Sequence, residues 1–279
     1  MSIGYLVLDV CCTLMRQDPY FVFGPSTYPL PLHLARLSAS KLWIYRGLTG
    51  FAGVLAALHM IFSFDQVVRC LVLGPRVLGV RGELWHYPTI FGSFTNTLDR
   101  GLGGFWGGWW HQTFRIAFVA PTNFLVRQGH LSPGSLEAQL VGALVAFLQS
   151  GLMHAAGGIT SLPGTKWWMP PLFFLSQTAG MALQARFCKV FAREIDAAPR
   201  VVRRLANLTF VAVWLMATQR LLIDDLSRAA LWLFEPVPVS VVRALGYGGP
   251  GDGAVWRWDR DHFPRWHWGK HWWQTGLGI

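Results

Sequence analysis

Two histidines lie in strongly apolar parts of the sequence. His111 is in 105-FWGGWWHQTFR-115 and His154 is in 150-SGLMHAAGG-158. Histidine is the side chain most often used to transfer a proton near neutral pH, and an ionisable group at membrane depth indicates function by default. On a helix, Ser150 and His154 share a face because they are four residues apart. A catalytic His154 and a helix-end histidine that meets a carbonyl or interfacial water fit these residues equally well.

The first stretch combines aromatic rings with a cation. If it is helical, Trp106 stacks against Trp110, and His111 shares a face with Arg115. The two central glycines would each weaken a helix by about 1 kcal/mol relative to alanine, so we expect another backbone or a ligand to approach closely here. The alternative is an aromatic belt at a membrane–water interface with an incidental histidine.

The composition indicates the elements that hold these residues. The chain of 279 residues is 52% hydrophobic and 14% charged, with 15 tryptophans, whereas a soluble domain has about 25% charged residues. The net charge of +10 comes from Lys and Arg that flank apolar runs, as in positive-inside loops. A nucleic-acid binder would cluster that charge on polar segments. We therefore predict an all-α, polytopic membrane protein that does not bind nucleic acid.

Four segments approach the roughly 20 apolar residues that a spanning helix needs. They are residues 48–64 with an extension to Leu73, 136–156, 168–187 and 205–223. The shorter run 116–126 holds a proline and is predicted to be re-entrant or interfacial. Three glutamines in or beside the longer runs, Gln149, Gln177 and Gln184, are expected to form interhelical hydrogen bonds. The four cysteines are predicted to be small buried hydrophobic residues.

The basic residues also predict an orientation. The loop at 186–204 is the densest basic run, so it is expected in the cytosol. The connector 157–166 then lies on the opposite side, and the region before residue 136, with the first histidine motif, returns to the cytosolic side. The N-terminus lacks a basic region and carries Asp9, so it is predicted to be the tail of a membrane helix.

The two motifs together, FW-x-x-x-WHQ-x-x-R followed by S-G-L-x-H, resemble the wax synthase-like branch of the membrane-bound O-acyltransferases. That branch includes fungal acetyltransferases of terpenoid and meroterpenoid pathways. Further similar landmarks are 5-YLVLD-9, Tyr45-Arg46-Gly47, 83-ELWHYPTIFGSF-94 and the Trp-rich 256–273. The family usually has Ser-Leu-basic before Phe-Trp, where this chain has 101-GLGG-104.

The resemblance implies a single membrane-embedded acyltransferase domain over residues 1–279, a helical bundle that lacks some N-terminal helices of its relatives. The motif region is about 83–187, and the tail is 246–279. An integral, multi-pass protein of the endoplasmic reticulum is expected. Its partners would be the lipid bilayer and a small-molecule alcohol, and its co-substrate acyl-CoA, with acetyl-CoA favoured. No bound cofactor and no metal are expected.

The resemblance also implies roles for individual residues. His154 matches the intramembrane catalytic histidine, and His111 matches a second polar position on the cytosolic side. His154 would accept the proton of the alcohol, and His111 or Gln112 would donate to the oxyanion. The residues expected along the substrate and acyl-CoA tunnel are Phe105, Trp106, Trp110, Gln112, Arg115 and Ser150. Arg115 or Arg127 could bind coenzyme phosphates, and positive-inside anchoring explains both at least as well.

Three alternatives stay open at this stage. A wax-ester synthase would use long acyl chains and fatty alcohols. A transporter or channel would use His154 and the glutamines as a polar path, but it would predict repeated membrane units, and the sequence shows no repeat. A haem-binding membrane protein would use His59, His111 and His154 as ligands, and an absorbance spectrum would reveal its haem.

Overall fold

The computed structural model describes residues 2–161, 164–233, 235–258 and 265–278. The described residues are mostly helical, which confirms the predicted all-α class. The principal helices are α1 (Ser2–Arg16), α2 (Pro19–Phe23), α3 (Leu32–Ala35), α4 (Ala39–Val67), α5 (Gly74–Leu78), α6 (Thr95–Gly104), α7 (Arg115–Arg127), α8 (Leu136–Ser161), α9 (Met169–Val190), α10 (Ala192–Ala197), α11 (Arg200–Thr218), α12 (Arg220–Arg228) and α13 (Val241–Ala244). Two short strands, β1 (Arg265–His267) and β2 (Gly276–Gly278), pair antiparallel in the tail.

Within the described residues, three helical segments are long and apolar enough to cross a membrane. They are Ala39–Gly82, Leu136–Ser161 and Arg200–Thr218. The first two contain the predicted spans 48–64 and 136–156. The third overlaps the predicted span 205–223 but ends earlier, because α11 ends at Thr218 and a separate helix, α12, begins at Arg220.

The predicted span at 168–187 forms a helix of 22 residues, α9, but it is not one of the three candidates. Gln177, Gln184 and Arg186 lower its apolarity, and its first half is largely buried by protein. Its crossing of a membrane stays a prediction. The short run at 116–126 forms α7, a helix of 13 residues that contains Pro121. That is too short to span about 30 Å of hydrocarbon.

The chain divides into two compact units. Unit 1 comprises residues 1–88, 158–165 and 223–279, and unit 2 comprises residues 89–157 and 166–222. The single domain over residues 1–279 stays a prediction. Part of the Trp-rich tail, residues 259–264 and residue 279, lies outside the described residues.

The core of unit 1 packs α1 against α4. Its apolar clusters bury Cys11, Met15 and Phe21 in one group and Leu8 and Cys12 in a second. Cys70 is buried as well, whereas Cys188 is exposed. The prediction of four buried cysteines is therefore wrong for Cys188, which lies near the end of α9 beyond the packed half of that helix.

The core of unit 2 is an aromatic cluster made by α8 and α9. Phe147 from α8 and Phe173 and Phe174 from α9 are its buried members. Trp106 of the first histidine motif packs against the same cluster. Apolar burial of large aromatic rings contributes strongly to stability, so this cluster joins the two helices and provides a rigid base for the motif.

Candidate active site

The first histidine motif begins where α6 ends. Gly101 has φ +60° and ψ −135°, which interrupts the helical backbone, and a left-handed φ of this kind favours glycine. The chain then forms a π-helix, Phe105–Trp109, and leaves it at Trp110 with ψ 145°. A single π-helical turn is rare and is often found at functional sites. We call Phe105–Trp109 the π-turn.

The π-turn keeps the expected contact between Trp106 and Trp110, but it removes the helix face that His111 and Arg115 were expected to share. Trp106 and Trp110 are in contact, with ring centroids 5.8 Å apart, but the rings meet edge to face at 68° and are not stacked. His111 and Arg115 do not share a helix face, because the backbone is extended at Trp110 and α7 starts only at Arg115. The Arg115 guanidinium instead turns back and donates through Nη1 to the Gly107 carbonyl, at 2.9 Å.

Gln112 closes the π-turn from its C-terminal side. Its Nε2 donates to the Trp106 carbonyl at 3.1 Å and to the Trp110 carbonyl, and its backbone N–H donates to the Ile90 carbonyl at 3.1 Å. Its Oε1 accepts from Arg115 at 3.1 Å. Because these bonds occupy the side-chain amide, Gln112 shapes the turn and is not a free donor for an oxyanion.

A continuous series of aromatic contacts connects the two histidines. The ring centroids of His111 and Trp110 are 5.6 Å apart, and those of Trp110 and Trp106 are 5.8 Å apart. Trp106 then contacts Phe174 at 5.9 Å, and Phe174 stacks on His154 at 5.0 Å with an interplanar angle of 16°. We call these five rings the aromatic wall. Both histidines therefore contact one packed aromatic surface within unit 2.

Phe105, Ser150 and Arg127 are three further residues that the sequence analysis singled out, the first two for the tunnel and the third for coenzyme phosphates. Phe105 is buried and lies against Trp106 at 5.0 Å. Ser150 is half-buried and lies one turn before His154 on α8, which is half-buried as well. Arg127 is bonded to the backbone of its own helix through the Asn123 carbonyl at 3.4 Å.

His111 has the electrostatics of a neutral imidazole. Burial lowers its pKa below the ordinary value, because a poorly hydrated site disfavours the charged form. Its Nδ1 atom is buried and has no hydrogen-bond partner among the described residues. A buried polar atom without a partner costs free energy, so this nitrogen is suited to a hydrogen bond with a bound ligand.

The wall is held by Gln177, which the sequence analysis expected to form a hydrogen bond between helices and did not count among the site residues. Gln177 is fully buried, and its Oε1 accepts from Trp106 Nε1 at 3.3 Å. Its Nε2 donates to the Phe173 carbonyl at 2.9 Å and to Thr218 Oγ1 at 3.3 Å. The predicted hydrogen bonds between helices are confirmed for Gln177. The apolar residues that precede Gln177 in the sequence did not predict that its partner would be the Trp106 ring.

The other two glutamines confirm the same prediction. Gln149 on α8 donates to the Phe118 carbonyl of α7 at 3.1 Å. Gln184 on α9 donates to Asn207 Oδ1 of α11 at 2.9 Å. Phe174 is the site residue that the sequence interpretation missed, and its place in the aromatic run 173–174 beside a proline pair was the available signal.

Comparisons with known proteins agree with the resemblance. The model of the membrane bound O-acyl transferase family matches residues 87–176. The acetyltransferase spyB of Aspergillus fumigatus is 30% identical over 147 residues, which are 47% of this chain and 24% of that protein. The acetyltransferase pyr8 of Aspergillus fumigatus is 26% identical over 252 residues, 87% of this chain and 56% of that protein.

A third relative is the acetyltransferase atnC of an Arthrinium species, 29% identical over 221 residues, which are 77% of this chain and 49% of that protein. The chain thus spans about half the length, or less, of these curated relatives. No solved structure matches it significantly. The region matched by the family model contains both His111 and His154, and the chain's resemblance to the membrane-bound O-acyltransferases is thereby confirmed.

Proposed function

We propose that this chain is a membrane O-acyltransferase that transfers acetyl from acetyl-CoA to a hydroxyl of a terpenoid or meroterpenoid intermediate. The observation that carries the proposal is the aromatic wall, which joins His111 to His154 inside the region matched by the family model. The names of the three relatives support acetyl as the transferred group.

The chemistry assigns one task to each histidine. Neutral His154 accepts the proton of the acceptor hydroxyl as its oxygen attacks the thioester carbonyl. A hydrogen bond from the neutral His111 imidazole stabilises the oxyanion of the tetrahedral intermediate. Collapse of that intermediate forms the ester and breaks the C–S bond. The departing thiolate of coenzyme A takes up the proton held by His154, which restores the neutral base.

The surroundings of the histidines suit this reaction. The aromatic wall limits the access of water, and a water-poor site limits hydrolysis of the thioester. Arg115 is exposed, and both of its side-chain hydrogen bonds to the described residues use Nη1. The rest of its guanidinium is therefore available to coenzyme phosphates, which guanidinium groups bind well. Ser150 would contact substrate beside His154. Multi-pass insertion in the endoplasmic reticulum is part of the same proposal.

The experiment is acyl transfer by membranes from a microsomal host that expresses the chain. Membranes are incubated with labelled acetyl-CoA and a panel of hydroxylated terpenoids. We expect the label in an ester product, and its loss in His154→Ala. His59→Ala is the matched control, since His59 is a histidine of another candidate span, α4, which belongs to unit 1, whereas the wall belongs to unit 2.

A second pair of substrates tests the transferred chain. Long-chain acyl-CoA with fatty alcohols should give little ester if the chain is an acetyltransferase. Preferential formation of long-chain esters would instead identify a wax-ester synthase. If neither pair gives an ester with the parent protein, the acyltransferase proposal is wrong.

A further inference from the structure

The interruption of α6 at Gly101 is bridged by two side-chain amides. In an uninterrupted α-helix, the N–H of Leu102 would donate to the carbonyl of Leu98, four residues earlier. Here the Leu102 N–H donates to Gln184 Oε1 at 2.9 Å. The Leu98 carbonyl accepts from Asn207 Nδ2 at 2.8 Å. Both backbone groups released by the interruption are therefore satisfied by side chains.

The two amides also bind each other. Gln184 Nε2 donates to Asn207 Oδ1 at 2.9 Å. One backbone hydrogen bond of α6 is thus replaced by three consecutive bonds that pass through Gln184 of α9 and Asn207 of α11. We call this arrangement the amide bridge. Each amide uses one donor and one acceptor in it, so the bridge has a direction and a defined length.

The backbone at the interruption is adapted to the bridge. A Cβ atom at Gly101 would overlap the side-chain amide of Gln184, so the absence of a side chain lets the amide reach the backbone. Leu102 is fully buried and Gly101 is buried as well. Water therefore does not replace the bridge easily, and an unbridged Leu102 N–H would be left without a partner.

The amide bridge lies just before the motif that carries His111. The π-turn starts at Phe105, directly after α6 ends. The direction in which α6 leaves the interruption therefore sets where the π-turn, Trp106 and His111 are placed. We propose that Gln184 and Asn207 are positioning residues for His111, holding the interrupted form of α6 that directs this imidazole to the oxyanion. This inference rests on the proposed acyl transfer.

A second contact between α6 and α11 provides a control, because it attaches the two helices to each other without taking part in the amide bridge. Asp99 accepts from Arg204 at 2.7 and 2.9 Å, at the exposed edge of the same helix pair. This ion pair attaches the helices to each other but does not bridge the interruption. Asp99→Asn is therefore the matched control, since it weakens the attachment of α6 and leaves the amide bridge in place.

The test compares variants that cut, shorten and restore the bridge. Gln184→Leu and Asn207→Leu cut it. Gln184→Asn shortens it, and the double variant Gln184→Asn/Asn207→Gln restores its total length. We expect the three defective variants to lower kcat by about 10-fold to 100-fold, the size of effect that a misplaced group can cause, with KM for acyl-CoA within about twofold. The double variant should recover much of the lost kcat, and Asp99→Asn should keep the parent kcat.

Two further measurements do not depend on turnover. Hydrogen exchange followed by mass spectrometry over residues 98–105 reports whether the Leu102 N–H is bonded. Labelling by diethyl pyrocarbonate, which modifies neutral imidazole, reports the exposure of His111. Cutting the bridge should accelerate both the exchange and the labelling.

Each pattern of results decides the proposal. Faster exchange with unchanged His111 labelling and unchanged kcat would mean that the bridge only stabilises the fold, which overturns the positioning role. Unchanged exchange would mean that the bridge does not protect Leu102, which overturns it as well. If the parent transfers no acyl group, the proposed function fails. Faster His111 labelling in the cut variants would still support the positioning of His111 by the bridge.

Discussion

Buried polar side chains differ in kind between the two compact units. Among the described residues, those buried in unit 1 include the charged residues Asp9, Asp18, Asp225, Glu235 and Arg243. Those buried in unit 2 are all uncharged: Thr97, Thr122, Gln177 and Thr178. A buried charge is tolerated only with partners. Unit 1 must therefore pair its buried charged side chains, whereas unit 2 buries only uncharged polar side chains among the described residues.

Buried charged side chains of unit 1 form an ionic network. The guanidinium of Arg243 donates to both oxygens of Glu235, at 3.1 and 3.0 Å, and to Asp252 at 2.8 Å. Arg257 donates to Glu235 as well, at 2.7 and 2.9 Å. Asp9 of α1 accepts from Ser240 at 2.6 Å and from the Val242 N–H at 3.0 Å. The network thus attaches the first helix to the segment around residues 235–257.

Unit 2 holds six of the eight buried side-chain polar atoms without a hydrogen-bond partner among the described residues, and the other two are Arg16 Nε and Arg228 Nε of unit 1. The six of unit 2 are Thr97 Oγ1, His111 Nδ1, Thr122 Oγ1, Thr178 Oγ1, Trp214 Nε1 and Gln219 Nε2. A neutral interior disfavours a protonated histidine, and unused donors and acceptors suit a site that receives a ligand. The comparison therefore agrees with the proposed function, in which unit 2 carries the chemistry, and with an ionic network that attaches chain segments within unit 1.

The largest expected effect is on turnover, and it tests the role of unit 2. His154→Ala removes the proposed base, so kcat should fall by about 10²-fold to 10⁴-fold. The amount of protein in the membrane should stay near that of the parent, because His154 is only half-buried and stacks on one ring, Phe174, among the residues that the structure describes. Turnover and membrane content are the two measurements. Near-normal turnover would remove His154 from the mechanism.

A change in the ionic network of unit 1 should lower the amount of folded protein, whereas His154→Ala should lower turnover. Arg243→Ala leaves the buried Glu235 carboxylate with fewer partners, and removing one member of a buried ion pair costs about 3–5 kcal/mol. That is a large part of the net stability of a typical protein, about 5–15 kcal/mol. We expect much less folded protein by detergent size-exclusion chromatography. A well-folded but inactive variant would contradict the division between the units.

A variant of the other histidine, His111, tests the proposed catalytic role of unit 2 a second time. His111→Ala removes the proposed oxyanion donor, and loss of one such donor costs about 10²-fold to 10³-fold in kcat. Turnover per folded protein is measured, so that expression and catalysis are separated. If the variant lowers expression but turnover per folded molecule is unchanged, His111 has a structural role in the aromatic motif.

The smallest expected effect is on how the Tm of the protein depends on pH. Since burial lowers the pKa of His111, folded His111 stays neutral at pH values where the unfolded chain already takes up a proton, near its ordinary value of about 6.5. Its contribution to stability is therefore present above that pH and is lost as the pH falls further. The Tm of the parent should decrease between pH 7.5 and 5 more than that of His111→Gln. Equal decreases would show that His111 is not buried as described.

The sequence alone determined the helical membrane class and the glutamines that bind between helices, whereas His111 and His154 became the catalytic candidates through the resemblance of their two motifs to a known family. The class and the glutamines follow from local patterns, since apolar length and a lone amide in a helix can each be seen within a few turns. Expectations that assumed a regular helix through the first motif were less successful. The pairing of His111 with Arg115 was wrong because the chain leaves the helix at Trp110.

Only the tertiary structure decided how the two histidines are connected and how the π-turn is held. Phe174 stacks on His154 from another helix, and Gln184 and Asn207 bond the interrupted backbone of α6 from 82 and 109 residues away along the chain. A helical periodicity predicts which side chains share one face, but it contains no information about which residue of a distant helix will meet that face. For that physical reason the aromatic wall and the amide bridge were visible only in the folded chain.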